Sequence, residues 1–119
     1  MNTKKNHEIS LATAIEMTTR FRAGIPAGFA HSEAYEKAAI QKLLNTKGCD
    51  KLRIYFGKDE NMVAHTILVA VDGSGNDILP TAQSQLNQED GEDDEEIIIL
   101  EDAWRCPPLC PEGSPLNGD

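Results

Sequence analysis

Two cysteines that lie four residues apart are the clearest candidates for chemistry in this sequence. Cys106 and Cys110 stand in the segment WRCPPLCPEGSPLNGD, residues 104–119. A pair of thiols can close a disulfide, carry out redox chemistry or supply half of a zinc site. Their C-x₃-C spacing differs from the C-x₂-C spacing of zinc knuckles and thioredoxin-like motifs. Zinc would also need Cys49 and one of three distant histidines to converge on the pair, so we expect no bound cofactor and keep zinc as the weaker alternative. Those histidines are His7, His31 and His65.

The surroundings of the two thiols favour a recognition segment over a redox site. Reactive thiols need a nearby cation, a helix N-terminus or a metal, and Arg105 is the only Lys or Arg after residue 58. Prolines around the pair favour an extended chain that loses little entropy when it binds. Three cysteines, an odd number, fit a reducing compartment, so we expect reduced thiols and keep a disulfide as the alternative. The partner-binding candidates are Trp104, Arg105 and Leu109, with Trp104 as the apolar anchor.

The segment DGSGNDILP, residues 72–80, has oxygen-bearing side chains spaced like the start of a calcium loop. An EF-hand also needs Gly at its sixth place and Glu at its twelfth, where this chain has Asp77 and Gln83. We therefore interpret the segment as a hairpin turn in which Gly73 and Gly75 supply positive φ angles.

No catalytic constellation is recognisable in the sequence. It contains no G-x-S-x-G, no H-E-x-x-H and no P-loop motif. His65 lies in an alternating apolar stretch, where a lone histidine is usually a hydrogen-bonded packing residue. Cys49 is interpreted as a small core residue. We therefore predict that the protein is not an enzyme.

The net charge of -9 is unevenly distributed along the chain. Residues 1–58 hold ten of the eleven Lys and Arg residues and five acids, whereas residues 59–119 hold fifteen acids. Seven of the eight residues from Glu89 to Glu96 are acidic, and their mutual repulsion predicts a mobile loop. This distribution argues against direct nucleic-acid binding. It leaves open that the acidic run docks a basic partner or mimics nucleic acid.

The sequence predicts neither a membrane span nor a secretory signal. No stretch approaches the roughly 20 apolar residues of a transmembrane helix. The N-terminal MNTKKNHEIS has no apolar region after its lysines. We therefore expect a cytoplasmic protein.

Hydrophobic periodicity predicts two helices in the N-terminal part of the chain. The first covers about residues 11–23, with Ser10 as its N-cap and Gly24 at its end. The second lies in SEAYEKAAIQKLLNTKG, with Ser32 as its cap and Gly48 at its end. Its apolar stripe consists of Tyr35, Ala39, Ile40, Leu43 and Leu44.

After the second helix the apolar period changes to two, which is typical of β-strands. KLRIYFG (51–57) and MVAHTILVAV (62–71) predict a hairpin, and DILP (77–80) predicts a short third strand. Alternation places Ile67 under the helices. IIIL, residues 97–100, predicts a strand that returns to the sheet.

Together these elements predict an α+β domain over residues 9–80, with two N-terminal helices packed on a three- or four-stranded antiparallel meander. Residues 81–96 form the acidic mobile loop. Residues 97–119 form the returning strand and a Pro/Cys-rich C-terminal tail with Trp104. A chain of 119 residues holds one modest core, which leaves little room for a deep pocket.

The segments LRIYFGKDEN, ILVAVDGSGNDILP and RCPPLCPEGSPLN give the chain a layout that resembles small uncharacterised bacterial proteins. The resemblance covers the sheet and the tail, about half of the chain, and it implies no activity, ligand or catalytic residue. The sequence therefore predicts a small non-enzymatic interaction or adaptor protein that binds a protein partner. A thiol-based redox or zinc protein that uses Cys106 and Cys110 is the alternative from another class, and an acidic inhibitor or nucleic-acid mimic is the third.

Overall fold

The computed structural model describes residues 5–81 and 96–119. These residues form an α+β protein with two α-helices and two antiparallel sheets, which confirms the predicted fold class. Residues 82–95 of the predicted acidic loop lie outside the described residues, so its mobility stays a prediction. In chain order the elements are α1 (Leu11–Ala23), β1 (Ser32–Ala34), α2 (Lys37–Leu44), β2 (Lys51–Lys58), β3 (Ala64–Val71), β4 (Asp77–Ile78), β5 (Trp104–Cys106) and a 3₁₀ turn at Pro115–Asn117.

The predicted meander is present as the three-stranded sheet β2-β3-β4. Eight antiparallel pairs join β2 to β3, from Lys51 opposite Val71 to Lys58 opposite Ala64. The short β4 pairs with the end of β3. The alternating apolar pattern of the two long strands therefore identified this hairpin from local sequence alone.

The turn between β3 and β4 is built around Asp72. Its Oδ1 accepts hydrogen bonds from the backbone N–H groups of Ser74 and Asn76, both at 2.9 Å. Gly75 has the predicted left-handed conformation, with a φ of 92°, whereas Gly73 does not adopt it. The segment is a hairpin turn, as its sequence predicted.

The segment 97–100 returns to the sheet through one pairing. Leu100 and Leu68 exchange both backbone hydrogen bonds, at 2.9 and 3.0 Å. The predicted return is therefore confirmed as a single bridge on the side of β3 away from β2, and not as a full strand.

Residues Ser32–Ala34 form a strand and not the first turn of the second helix. They pair antiparallel with β5 at the other end of the chain. The helix α2 begins only at Lys37, and the side chain of its cap residue, Glu36, makes no capping hydrogen bond. The predicted cap at Ser32 is wrong because pairing with β5 holds this backbone in an extended conformation.

The core cluster around Leu43 lies between α2 and one face of the meander, and Val69 and Val71 are buried on the other face of β3. Leu43 of α2 is fully buried against Leu68 and Ala70 of β3. Because side chains alternate along a strand, Ile67 projects from the opposite face. The predicted position of Ile67 under the helices is therefore wrong, and the neighbouring Leu68 takes that place.

The helix α1 begins and ends as predicted, but it does not share the position of α2 on the core. The Ser10 hydroxyl accepts a hydrogen bond from the Thr13 N–H at 3.0 Å. No residue of α1 is buried. The helix contacts the C-terminal 3₁₀ turn, where Nη1 of Arg22 donates to the carbonyl oxygen of Leu116 at 2.6 Å.

Candidate interaction site

An open pocket of about 650 Å³ lies beside the core, over the sheet face that carries Ile54, Phe56 and Leu68. Phe21 of α1 and the connector and β1 segment of residues 29–35 complete its walls. This volume is within the range of sites that take small ligands or peptide side chains. The pocket is open and not deeply enclosed, so the expectation of little room for a deep pocket stays a prediction.

The three phenylalanines of the chain converge at this pocket. The ring of Phe29 lies 6.1 Å from that of Phe21 in an edge-on arrangement and 6.4 Å from that of Phe56. Phe56 is 70% exposed. Sequence analysis missed the group because its members come from α1, a connector and β2. We call these three residues the phenylalanine cluster.

One end of the pocket is polar, and its groups bond to one another. Oε1 of Glu33 accepts from the Thr66 N–H at 3.0 Å and from the Thr66 hydroxyl at 2.6 Å. The other carboxylate oxygen, Oε2, accepts from Nη1 of Arg105 at 3.0 Å. In the described parts of the chain, no buried side-chain nitrogen or oxygen lacks a hydrogen-bond partner. The pocket therefore has a satisfied polar end.

Tyr35 closes this polar end. Its hydroxyl lies 2.8 Å from Oγ1 and 3.0 Å from the carbonyl oxygen of Thr66. Burial raises the pKa of Tyr35 above its ordinary value of 10.0, and the nearby carboxylate of Glu33 raises it further. The Tyr35 hydroxyl is therefore held at this end of the pocket by its hydrogen bonds to Thr66.

His65 is hydrogen-bonded, as predicted for a lone histidine on a strand. Its Nε2 lies 3.0 Å from Oδ2 of Asp59, and its Nδ1 lies 3.5 Å from Oε2 of Glu101 and 3.4 Å from Nη1 of Arg105. The bond to His65 is the main cause that lowers the pKa of Asp59. Both ring nitrogens thus face charged side chains.

Cys106 and Cys110 form a disulfide, with their Cα atoms 4.6 Å apart. The expected reduced pair is therefore wrong, and the disulfide alternative is the one found. Cys106 is buried and Cys110 is exposed. Disulfide sulfurs are not the thiolates that zinc binds. Within residues 5–81 and 96–119, no group of three or more His, Cys, Asp or Glu side chains is arranged to hold a metal ion.

The three predicted partner contacts lie outside the pocket walls. Trp104 is 54% exposed, and its indole N–H donates to Oε2 of Glu36 at 2.8 Å. Leu109 is exposed within the disulfide-closed loop. The side chain of Arg105 is mostly buried and bonds to Glu33 and to the Ala64 carbonyl. Trp104 and Leu109 stay predicted partner contacts, whereas Arg105 is engaged within the protein.

Cys49 matches its predicted role as a core residue. It is a free, partly buried cysteine that packs against the cluster around Leu43. Its Sγ lies 3.4 Å from the carbonyl oxygen of Lys51. It therefore stands apart from the disulfide in the tail.

The fold and the site define an α+β protein with an open aromatic pocket. Comparison of the chain with protein-family models, with curated proteins and with solved structures finds no match. Neither α1 nor α2 has the length and apolar character that a helix needs to cross a membrane.

Proposed function

We propose that this chain is a small non-enzymatic interaction protein and that its protein partner inserts apolar side chains into the pocket. The observation that carries the proposal is the phenylalanine cluster, which stays open to solvent. Phe56 is 70% and Ile54 50% exposed, on the same strand and the same face. Contiguous exposed apolar surface marks interaction sites, and aromatic side chains dominate their binding energy.

The polar end of the pocket is suited to orienting a bound partner. Its groups Glu33, Thr66 and Arg105 are joined by hydrogen bonds through the Glu33 carboxylate. The Tyr35 hydroxyl, bonded to Thr66, is a further hydrogen-bonding group there. These groups can orient a partner, while the apolar walls supply the contact area.

Site-specific photo-crosslinking in the native host tests the proposal. A benzoylphenylalanine at position 56 faces the pocket, whereas the same group at position 55 faces the other side of β2. Tyr55 is 44% exposed, so the control position is also accessible. We expect position 56 to capture one discrete partner protein and position 55 to capture none.

A pocket variant completes this experiment. Phe21→Ser removes one ring of the phenylalanine cluster on an exposed helix, where α1 has no buried residue. It should reduce capture at position 56 without unfolding the protein. Equal capture at positions 55 and 56, or capture that Phe21→Ser leaves unchanged, would contradict the proposal.

The thiol-based alternative is supported by one observation, the unequal exposure of the disulfide. The exposed Cys110 sulfur is accessible to a thiolate reductant, and the buried Cys106 is the leaving sulfur. Disulfides are rare in the cytoplasm, the expected compartment. Rapid alkylation of cells followed by mass spectrometry tests this alternative. A pair that cycles between reduced and oxidised forms under oxidant favours it, and a pair that never changes state counts against it.

The acidic inhibitor or nucleic-acid mimic remains a prediction from sequence. Its basis is the run from Glu89 to Glu96, of which residues 89–95 lie outside the described residues. No contact of the described residues favours it over the proposed function.

A further inference from the structure

We infer that a second copy of this chain pairs with β2, edge to edge and antiparallel, to form a six-stranded sheet across a two-fold axis. Each copy would contribute its three-stranded sheet β2-β3-β4. This inference goes beyond the proposed function, because it concerns the backbone edge of β2, although Phe56 of the phenylalanine cluster lies on that strand.

The edge of β2 is open in the described part of the chain. β2 pairs with β3 on one side, and no described strand pairs with its other side. Seven of its eight residues are exposed. Long apolar edge strands are templates for pairing with another chain, and proteins usually shorten, charge or cover them. Here the edge carries Leu52, Ile54 and Phe56, which are 36%, 50% and 70% exposed, beside the basic residues Lys51, Arg53 and Lys58.

The hydrogen bonds of β3 show which backbone groups of β2 point outward. In an antiparallel pair, residues alternate between bonding to the partner strand and pointing away from it. Leu68 lies opposite Ile54, yet both of its backbone groups bond to Leu100 on the far side. Ile54 therefore also points its N–H and C=O away from β3. By alternation, Leu52, Phe56 and Lys58 do the same.

This alternation restricts the registers that a second copy can adopt. Only outward-pointing residues can exchange hydrogen bonds, so even-numbered residues must lie opposite even-numbered residues. Placing Ile54 opposite itself on the two-fold axis puts Leu52 opposite Phe56. It also brings Asp50 close to Lys58 at the end of β2. Asp50 precedes β2, and its carboxylate lies 3.2 Å from Nζ of the neighbouring Lys51, so Lys58 of the second copy would join an existing pair. The central register thus has an apolar middle and an ion pair at each end.

The two neighbouring registers are less favourable electrostatically. A shift by two residues in one direction places Lys58 opposite Leu52, and the opposite shift places Asp50 opposite Phe56. Each shift sets a charged group against an apolar one and breaks both ion pairs. On the other face of the sheet, the central register places Arg53 opposite Tyr55 of the second copy. No two like charges therefore lie directly opposite each other. Charge complementarity therefore selects one self-pairing.

Sedimentation equilibrium of the 119-residue chain tests the pairing. The chain has a mass of 13.0 kDa, and we expect twice that mass at high protein concentration. Asp50→Lys and Lys58→Asp each create like charges at both ends of the interface. Each single reversal should weaken the dimer about tenfold. The double swap should restore the dimer of the original chain, because it recreates both ion pairs.

Two further measurements keep the test decisive. Lys37→Glu in α2 changes the net charge as much as a single reversal and should leave the dimer unchanged. In hydrogen exchange, the N–H groups of Ile54 and Phe56 should become protected only at dimer concentrations, while those of Arg53 and Tyr55 are protected throughout. A monomer at all concentrations, a dimer insensitive to both reversals, or a double swap that fails to restore it overturns the inference. Partner capture through the phenylalanine cluster could still succeed in each of these cases.

Discussion

Glu33 and Arg105 lie directly opposite each other in the β1–β5 pair, and Oε2 of Glu33 accepts a hydrogen bond from Nη1 of Arg105 at 3.0 Å. The two residues are 72 positions apart in the sequence. The other carboxylate oxygen of Glu33 bonds to Thr66 in β3. One carboxylate therefore ties the C-terminal segment to β1 and both to the edge of the meander.

Glu33→Ala should destabilise the protein by about 3 kcal/mol, because it leaves a mostly buried guanidinium without a carboxylate partner. The side chains of Arg105 and Glu33 are 22% and 10% exposed. The matched control is Glu16→Ala, which breaks the exposed pair of Glu16 and Arg20 and should cost less than about 0.5 kcal/mol. Urea unfolding curves measure both values. Equal costs would show that the β1–β5 ion pair adds nothing to stability.

Gly28→Ala should also be strongly destabilising. Gly28 has a φ of 88°, and a Cβ at this position would collide with the carbonyl oxygen of Met62. That backbone has little freedom to move, because the Ala64 N–H donates to the Gly28 carbonyl at 2.8 Å. We expect the free energy of unfolding to fall by more than the roughly 1–2 kcal/mol of left-handed strain alone.

Gly75→Ala measures the cost of left-handed backbone strain at a glycine where no steric collision is added. Gly75 has a similar φ of 92°, but a Cβ there meets nothing within 4 Å. Its cost should stay at the roughly 1–2 kcal/mol of a left-handed residue. Thermal or urea unfolding measures the stability of the Gly28→Ala and Gly75→Ala variants. A Gly28→Ala variant no less stable than Gly75→Ala would contradict the close approach of Met62.

Leu68→Ala and Ile67→Ala report which face of β3 packs against α2. Leu68 is 3% exposed and packs with Leu43, so its truncation should cost about 2–5 kcal/mol. Ile67 is only partly buried and lies on the opposite face, so Ile67→Ala should cost clearly less. Denaturation midpoints of the two variants measure both costs. A larger effect at Ile67 would show that the alternation of β3 is assigned to the wrong faces.

The lowered pKa of Asp59 predicts that part of the stability depends on pH. The bond to His65, and then the backbone N–H groups of Val63 and Asn61, stabilise the carboxylate, so its pKa lies below the ordinary 3.8. Such a group stabilises the fold above its unfolded pKa, and this contribution is lost as the pH falls through the folded pKa. Asp59→Asn should therefore destabilise the protein more at about pH 7 than at about pH 3. Unfolding curves at the two pH values measure this, and a cost that stays the same at both would contradict it.

Local signals in the sequence determined much of the secondary structure. Ser10 and the apolar spacing after it determined the start of α1, and alternation determined β2 and β3. The turn at Asp72 could also be predicted, because the Asp72 carboxylate bonds to backbone N–H groups within four residues and Gly75 adopts a positive φ. All of these features depend on residues that are close together in the chain.

Tertiary structure alone decided that Ser32–Ala34 form a strand and where the pocket lies. Ser32 and Glu33 are ordinary residues for a helix start, yet they form a strand because β5 offers backbone partners from the end of the chain. The phenylalanine cluster likewise joins three segments whose spacing has no period. Local propensities differ by less than about 1 kcal/mol per residue, so one long-range strand pairing or buried ion pair outweighs them, and sequence spacing does not reveal which distant segments meet.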